Sequence, residues 1–575
     1  MKKEKEKRTR KFTKATGWGL GIALALFIGS FLLFRWLICP VIGWSPSLLF
    51  TLLISSVIAL PATCICAYID DEFIDPWNRN WSYFLPRVNA IIAGVLILCL
   101  LITTFVSWAW FHVDSIKERL SLENISQEKL VEMLPDYNED GAYSWIDSES
   151  AQKLAARKMG ELTEDKSLFD AGTVSKSESS GKIDAPNVYT SVEKTEDGYR
   201  LVKYIPLKYS GVFAYSKGKD IPGYIKVDPV KGVATFVKKP MRYSPSACFE
   251  RDLKRHLRAN LPTEYFGETM FQVAPDGTPY WVTELVTPTS GWFYREVKEV
   301  SLCDAYTGEV TKYALKDAPD WVVCIHGKTA ADYYDAWGRF AEGYWNFSNH
   351  GETSTTDDFG YVLIDDTMYY YTGVTSKVTN GGDESNVGVL LFNSHTGEAM
   401  YAETPGAEEY SAMSAAEAAV QNYGYQASFP SLASVNDQMT YIMVLKDGNG
   451  IVKGYAMVNY DNFGIVVTGE NMETAAEKYL TALGMEPEAT ESEFETESTT
   501  EPVDEKTYTE ATLKVDDVKF IVNKGSTTTY ILSSEKWYKK PFSEDDLFIK
   551  VGDEIKVSVE ENNSTDENVV LNIKY

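Results

Sequence analysis

The sequence is poor in the residues that build metal sites and disulfide frameworks. It has 7 cysteines among 575 residues, and no two of them form a Cys-x-x-Cys pair. This excludes a zinc ribbon and a thioredoxin-type redox site. Only Cys248, Cys303 and Cys324 lie beyond the N-terminal apolar segments. Three widely spaced cysteines make no disulfide framework, although one pair can form.

The usual signatures of catalysis are also missing. The 5 histidines are scattered, and the sequence has no His-Glu-x-x-His, no Gly-x-Ser-x-Gly and no complete Gly-x-x-x-x-Gly-Lys-Thr phosphate loop. The adjacent pairs Asp357-Asp358 and Asp365-Asp366 would face opposite sides of a strand, so they are poorly placed to act together as acid and base. The sequence therefore predicts no enzyme activity, no catalytic residue, no cofactor and no metal.

The charge excludes a nucleic-acid partner. The formal net charge is −27, whereas binding of a phosphate backbone needs clustered Lys and Arg. One basic segment, "RDLKRHLR" at 251–258, stands out from this acidic background. On a helix, its basic residues would share a face that can contact an anionic polymer or a lipid headgroup. These residues are Arg251, Lys254, Arg255 and Arg258. The alternative is a solvated helix face balanced by acidic neighbours.

Three long apolar stretches occupy the N-terminal fifth of the chain. They run from about Trp18 to Ile38, from Ser47 to Ala67 and from Asn89 to Phe111. Each is close to the ~20 residues that cross a bilayer as a helix. The basic residues 1–17 predict a cytoplasmic N-terminus, and hence an extracytoplasmic region after the third span. Arg35 is the only charge within the stretches, so we expect a membrane anchor rather than a transport path.

The remainder alternates helical and strand patterns, which predicts an α+β fold. After the spans we expect a stalk helix and then modules in which a helix packs on an antiparallel sheet. An acidic, Thr-rich linker and a small all-β barrel, similar to an OB-fold, complete the chain. The predicted segments are a basic tail (1–17), three transmembrane helices (18–111), the stalk (112–143), three modules (144–243, 244–325 and a rearranged 326–484), the linker (485–506) and the barrel (507–575).

The modules share a motif at the end of a strand. It is clearest in "SLCDAYTGEV", where Asp304, Thr307, Gly308, Glu309 and Val310 resemble the PepSY family of extracytoplasmic α+β modules. A less complete version begins at Asp228, where the Thr and Glu are missing. Another begins at Asn393, which replaces the aspartate, and a degraded version spans Asn459 to Gly464. The resemblance covers roughly residues 144–480 in two or three copies. It implies inhibition or regulation of peptidases, or envelope sensing, and no catalytic centre.

The same motif has two physical interpretations. Asp304 can accept hydrogen bonds from backbone amides two residues on, and Gly308 tolerates a positive φ, which makes a turn that needs no ligand. Asp and Asn side chains with backbone carbonyls also suit calcium, although the spacing lacks the recurring acids of an EF-hand. The structural turn is the prediction.

These observations favour a three-span protein of a bacterial cell membrane with an extracytoplasmic binding, scaffold or regulatory role. The expected partners are another envelope or membrane protein and membrane lipid, because paired β-modules offer strand edges and Tyr-rich faces. The alternatives are a divergent envelope hydrolase or transporter accessory subunit, and a sensor of lipid or polymer that uses an exposed 251–258 helix.

Overall fold

The computed structural model separates the chain into two compact units, Met1–Pro487 and Glu488–Tyr575. The basic tail up to residue 11 and residues 486–507 of the predicted linker and barrel start lie outside the described residues. The structure describes residues 12–69, 81–161, 167–172, 175–176, 183–184, 187–196, 198–346, 350–356, 358–377, 386–448, 450–485, 508–515, 517–523, 526–534, 536–541, 550, 552, 554–560 and 571–574.

Three apolar helices, each long enough to span a membrane, begin the first unit, as the sequence predicts. Helix α2 packs between the other two, and α2 and α3 are joined by a hydrogen bond from Ser56 Oγ to Asn89 Oδ1 (2.6 Å). The third helix ends earlier than predicted, and a short 3-10 turn (Ala109–Phe111) follows it. The helices are α1 (Lys14–Ile38), α2 (Pro46–Ile69) and α3 (Leu85–Val106), the last preceded by a 3-10 turn (Trp81–Phe84).

The rest of the first unit, residues 107–485, is termed the head. It contains four successive groups, each made of a helix followed by an antiparallel sheet. A short segment precedes the first group. Its elements are α4 (Val113–Lys117), β1 (Ser121–Ile125) and α5 (Gln127–Met133).

The first two groups have sheets of four strands in the orders β5-β6-β8-β9 and β10-β11-β12-β13. Two small pairs, β2 with β7 and β3 with β4, accompany the first sheet. The first group comprises α6 (Ser148–Glu161), β2 (Phe169–Asp170), β3 (Ser175–Lys176), β4 (Ile183–Asp184), β5 (Tyr189–Lys194), β6 (Tyr199–Pro206), β7 (Lys208–Tyr209), α7 (Val212–Tyr215), β8 (Tyr224–Asp228) and β9 (Val233–Val237). The second comprises α8 (Leu253–Asn260), β10 (Tyr265–Val273), β11 (Pro279–Ser290), β12 (Tyr294–Asp304) and β13 (Val310–Ala314).

Residues 326–484, predicted as one rearranged module, contain two helix-and-sheet groups. In each of the two groups, the first two strands along the chain are short, and both pair with the third strand. The third group comprises α9 (Gly327–Arg339), β14 (Thr353–Thr355), β15 (Gly360–Ile364), β16 (Thr367–Ser376), β17 (Asn386–Asn393) and β18 (Glu398–Ala402). The fourth comprises α10 (Glu409–Ala419), β19 (Gln426–Ala427), β20 (Ser431–Val435), β21 (Gln438–Lys446), β22 (Val452–Asn459), β23 (Val466–Gly469) and a closing helix α11 (Met472–Ala482).

The predicted stalk helix over 112–143 is not a single helix in the structure. Its middle part is β1, which pairs in parallel with β18 along the edge of the third sheet. The buried apolar residues of this segment do not lie on one helix: Leu120 lies between α4 and β1, Ile125 on β1 and Leu130 on α5. Pairing with a distant sheet edge has overridden the local periodicity, as tertiary contacts often do.

Buried side chains join successive sheets. One cluster contains Tyr204 of the first sheet with Phe271 and Trp281 of the second, and the last two rings have centroids 5.1 Å apart. A second cluster joins the second and third sheets, and a third joins the third and fourth. Neighbouring groups therefore share their cores, and the head and the spans belong to the same compact unit.

The end of the third strand has the same turn in successive sheets. Asp304 Oδ1 accepts hydrogen bonds from the amides of Tyr306 (2.7 Å) and Thr307 (2.9 Å), and Gly308 has a φ of +78°. Asp228 and Asn393 each accept two amides in the same way. The predicted turn mechanism is therefore confirmed. Across the described residues, no group of three or more His, Cys, Asp or Glu is placed to hold a metal ion.

The second unit is a six-stranded sheet in the order β24-β28-β29-β27-β26-β25. Its pairings are antiparallel except between β27 and β29. The described strands leave β24 and β25 at opposite edges, so closure into an OB-like barrel stays a prediction. The strands are β24 (Tyr508–Lys514), β25 (Asp517–Asn523), β26 (Ser526–Ser533), β27 (Lys536–Pro541), β28 (Glu554–Glu560) and β29 (Leu571–Lys574).

The turn interpretation predicts a specific mutational pattern. Asp304→Ala leaves two amides without their acceptor, so we expect the free energy of unfolding to fall by about 1–2 kcal/mol. Asp304→Asn keeps the accepting oxygen, as Asn393 does, and should cost less than about 0.5 kcal/mol. Chemical denaturation of the detergent-solubilised protein would measure both changes. If Ca²⁺ stabilised the wild type over an EDTA-treated sample, and Asp304→Ala abolished this effect, the turn would be a calcium site instead.

Candidate functional site

The basic segment 251–258 lies against the end of the first apolar helix. Its helix starts later than the sequence suggests: a 3-10 turn (Phe249–Arg251) comes first, and α8 begins after Asp252. Asp252 Oδ1 accepts a hydrogen bond from the Arg255 amide (3.0 Å), which fixes the N-terminus of α8. The loop after α8 also contacts the loop between α1 and α2, because the Ile42 amide donates to the Pro262 carbonyl (2.8 Å).

Two of the four predicted basic residues bind backbone carbonyls at the end of α1. Arg255 Nε donates to the Trp36 carbonyl (3.2 Å), and its guanidinium lies 4.1 Å from the centre of the Trp36 ring. Arg258 Nε donates to the Cys39 carbonyl (3.1 Å). The last carbonyls of a helix have no partner within it and carry partial negative charge. The two guanidinium groups therefore satisfy and stabilise this helix end.

Arg258 is held by further contacts within the head. Its Nη1 donates to the carbonyls of Leu261 (3.0 Å) and Glu264 (2.6 Å), and its guanidinium lies 4.2 Å from the centre of the Phe266 ring. The planar fork of arginine reaches several acceptors at once, which a lysine ammonium cannot do in the same geometry. Arg258 thus connects α1, α8 and β10.

The other two basic residues differ in their surroundings. Arg251 Nη1 lies 3.2 Å from Asp220 Oδ1 in an ion pair. Lys254 is exposed, and within the described part of the chain it has no ion-pair partner. The side chains of three of the four predicted residues are therefore bound by acceptors within this chain. Among the four, Lys254 is the residue whose ammonium group remains available to an external anion. Contact with such an anion stays a prediction.

A groove of about 620 Å³ lies along α9. Its walls are α9, strands β10 and β11, and the loop that carries Trp292 and Phe293. The residues of α9 that line the groove run from Thr329 to Arg339. Because an α-helix rises about 1.5 Å per residue, this part of the groove is roughly 15 Å long. One end lies beside the spans, because a Cβ added to Gly291 would come within 2.8 Å of Ser107 Cα, directly after α3. The groove thus leads away from the membrane-spanning segments along one helix.

Arg119 lines this groove, and its guanidinium is held by contacts within the head. Its Nη1 donates to the Arg295 carbonyl (2.9 Å) and its Nε to the Ile116 carbonyl (3.3 Å), which fixes the plane of the guanidinium. The aromatic rings of Tyr294 and Tyr333 lie 5.4 and 4.9 Å from its central carbon. The remaining nitrogen, Nη2, is buried and has no hydrogen-bond partner among the residues that the structure describes. A buried donor of this kind is costly unless an acceptor reaches it.

Glu284 lies in the wall of the groove and binds the N-terminus of α9. Its Oε1 accepts from the His326 amide (2.8 Å), while Oε2 accepts from the Glu268 amide (2.9 Å) and from Thr329 Oγ1 (3.0 Å). A helix N-terminus favours a negative charge at this place. Burial nevertheless raises the pKa of Glu284 to about 7. The carboxyl group is therefore both a structural link between β11 and α9 and a titratable group near neutral pH.

The groove carries charges of both signs. Arg119, Arg339 and Lys377 line it together with Glu268 and Asp332. Some of these charges are satisfied internally: Lys328 beside the rim pairs with Glu268 at 3.2 Å. Partial burial raises the pKa of Asp332. Such a lining suits a ligand with both an anionic and a cationic group.

Sequence reasoning did not find this groove. Arg119 lies in the segment predicted as a stalk helix, and no local pattern links it to α9, more than 200 residues later. Glu284 had a recognisable signal, since it is the only charge in the apolar strand "YWVTELV". A lone acidic residue in a buried strand requires partners, but the sequence alone does not say which.

The sequence matches no protein-family model, and it matches no curated protein. The PepSY and OB-fold resemblances therefore stay predictions.

The contacts of Arg258 predict a strong contrast along α8. Arg258→Ala leaves carbonyls of α1 and of the following loop without donors, and we expect a loss of about 3 kcal/mol in the free energy of unfolding. Lys254→Ala, on the exposed side of the same helix, should change it by less than about 0.5 kcal/mol. Thermal unfolding in detergent micelles would measure both variants. Equal melting temperatures for the two would contradict the role assigned to Arg258.

The raised pKa of Glu284 predicts a pH dependence of stability. The folded state binds the Glu284 proton more tightly than the unfolded state, in which an ordinary glutamate has a pKa of 4.5. The contribution of this residue to the free energy of unfolding therefore falls as pH rises from about 4.5 to about 7, by up to about 3 kcal/mol. Glu284→Gln should flatten the fall, whereas Glu309→Gln at an exposed turn should leave it unchanged. Denaturation at several pH values would measure the slopes, and an unaltered slope in Glu284→Gln would contradict this assignment.

Proposed function

We propose that this chain is a membrane-anchored, extracytoplasmic binding, scaffold or regulatory protein of a bacterial cell envelope, without catalytic activity. The N-terminus is cytoplasmic, and the head and the terminal sheet lie outside the cell membrane. The three apolar helices and the basic residues before the first of them support this orientation. In this proposal the partners are an envelope or membrane protein and membrane lipid, and nucleic acid is not a partner.

We further interpret the four helix-and-sheet groups as four copies of one PepSY-like unit. The support is the shared order of elements, in which a helix precedes an antiparallel sheet and an Asp or Asn turn closes the third strand. The turn residues are spaced by 76 positions from Asp228 to Asp304, by 89 to Asn393 and by 66 to Asn459. Inserted strands and loops account for the unequal spacing. The terminal six-stranded sheet is interpreted as an OB-like barrel.

The groove along α9 is the binding site in this proposal, and Arg119 is the observation that carries it. The guanidinium is held by two backbone carbonyls and two rings, so its orientation is fixed before any ligand arrives. Its buried, unpaired Nη2 would be satisfied by a carboxylate or phosphate oxygen. An extended segment of a partner that carries such an acid, with a cationic group for Asp332, would match the charges of the groove.

Glu284 favours a second candidate, a divergent envelope hydrolase. A buried carboxyl group with a pKa of about 7 in a groove has the protonation behaviour of a general acid or base. Its oxygens are already bound by three donors of α9 and β10, which favours the structural role. Hydrolysis of an envelope polymer or peptide that Glu284→Gln abolishes and Lys254→Ala preserves would establish the enzyme and overturn the proposal.

Photo-crosslinking in native membranes tests the binding proposal. A benzophenone amino acid replaces the exposed Arg339 at the groove and, as a matched control, the exposed Tyr423 of the fourth group. We expect one recurrent partner captured at position 339 and absent at 423. Adding Arg119→Met should reduce this capture at least several-fold, while Lys254→Ala should not. The melting temperature of each variant separates loss of binding from loss of folding.

The same experiment includes a variant that lacks residues 507–575. Capture at position 339 that persists in this variant would support the groove as the site. A partner that is lost with the terminal sheet, or no difference between positions 339 and 423, would contradict the assignment of the site to the groove.

A further inference from the structure

The head carries large apolar side chains that are exposed beside the ends of the spans. Phe213 is 89% exposed, Phe249 58%, Phe293 65% and Trp345 60%. Exposed apolar residues scattered singly are common, whereas a continuous patch marks a contact surface. The contacts of these residues show that they form two arms that both start at the spans.

The first arm leaves the end of α1. The rings of Trp36 and Phe249 have centroids 6.3 Å apart, and those of Phe249 and Tyr215 are 6.4 Å apart. Tyr215 ends the short helix α7, which also carries Val212 and Phe213. The arm therefore runs from the last turn of the first span to the most exposed aromatic residue of the head.

The backbone at Phe249 supports a role for its exposed side chain. Phe249 has a φ of +55°, a left-handed conformation that is costly for a bulky residue. Nothing in the turn requires an aromatic residue there, and the ring is not buried in the head. A strained backbone that holds a phenylalanine beside Trp36 is explained if the ring has an apolar environment outside the protein.

The second arm lies at the ends of the other two spans. The hydroxyl of Tyr265 lies 3.5 Å from the carbonyl of Trp44, just before α2, and its ring is 5.3 Å from that of Trp292, next to Phe293. Beyond α3, the rings of Trp110 and Trp345 are 5.6 Å apart. These residues therefore lie beside the start of α2 and the end of α3.

We propose that these two arms insert into the headgroup layer of the bilayer and hold the head against the membrane surface. The occupant is lipid, because both arms are continuous with the ends of membrane-spanning helices and consist of aromatic residues, which favour the membrane–water interface. Lys254, exposed on α8 between Arg251 and Arg258, adds a cation suited to anionic headgroups. This contact is separate from anchoring by the spans, and it shares with the groove the loop that carries Trp292 and Phe293.

Lipid crosslinking from single positions tests the proposal. The full-length protein is reconstituted into liposomes of phosphatidylethanolamine and phosphatidylglycerol, with a benzophenone amino acid replacing Phe213, Phe249 or Phe293 in turn. Mass spectrometry then measures the lipid adduct on the labelled peptide. The controls carry the probe at Phe463 or Tyr423, which are exposed residues of the fourth group. We expect lipid adducts at positions 213, 249 and 293 that are several-fold more abundant than at both controls.

Adduct yields at 213 and 293 no higher than at the controls would overturn the proposal. A crosslink from position 213 to a second copy of the chain, in place of lipid, would assign this surface to self-association and also overturn it. Because each replaced residue is exposed, the melting temperature should match that of the wild type, so a low yield in a folded variant counts against lipid contact.

Discussion

The arrangement of this protein depends on the binding of arginine side chains to the end of the first apolar helix. Arg255 and Arg258 donate to carbonyls of Trp36 and Cys39. A helix that ends at a membrane boundary has carbonyls that neither the helix nor lipid can satisfy. Guanidinium groups from α8 supply the donors, and the same helix belongs to the core of the first and second sheets. Hydrogen bonds to backbone carbonyls of α1 therefore hold the head against the spans, and the Trp36 ring adds a contact with the Arg255 guanidinium.

Within the head, buried carboxyl groups connect one group to the next. Glu284 of β11 binds the N-terminus of α9, and Glu409 at the start of α10 accepts a hydrogen bond from the Gly373 amide in β16. Lys446 of β21 pairs with Asp147 and Glu149 at the start of α6, which connects the fourth group back to the first. Buried charges add little net stability, but a misplaced partner is costly, so such bonds specify which surfaces meet. The apolar cores supply most of the stabilisation, and these links select the arrangement.

Structure could be predicted from the sequence where the interactions that determine it are local. The three spans follow from runs of apolar residues, and the turn at Asp304 follows from a side chain that bonds amides two and three residues away. The sequence was insufficient where a residue is defined by a distant partner. Residues 121–125 form a strand only because β18 offers an edge nearly 280 residues later, and Arg119 lines a groove only because α9 packs beside it. The basic residues at 251–258 were recognised as unusual, but their main acceptors are carbonyls of α1 more than 200 positions earlier, which no charge pattern indicates.

The turns and the links between groups tolerate sequence change to different degrees. The turn needs one side-chain oxygen and a residue that accepts a positive φ, so Asp and Asn serve equally and the turn closes three sheets despite different neighbours. The three polar links differ from one another: a strand glutamate joins the second and third groups, a helix glutamate joins the third and fourth, and a lysine with two acids joins the fourth to the first. A repeated turn thus maintains the shape of each sheet while the junctions vary. The groove along α9 lies at one of these junctions, between the second and third groups, so its charges can change without loss of the units that frame it.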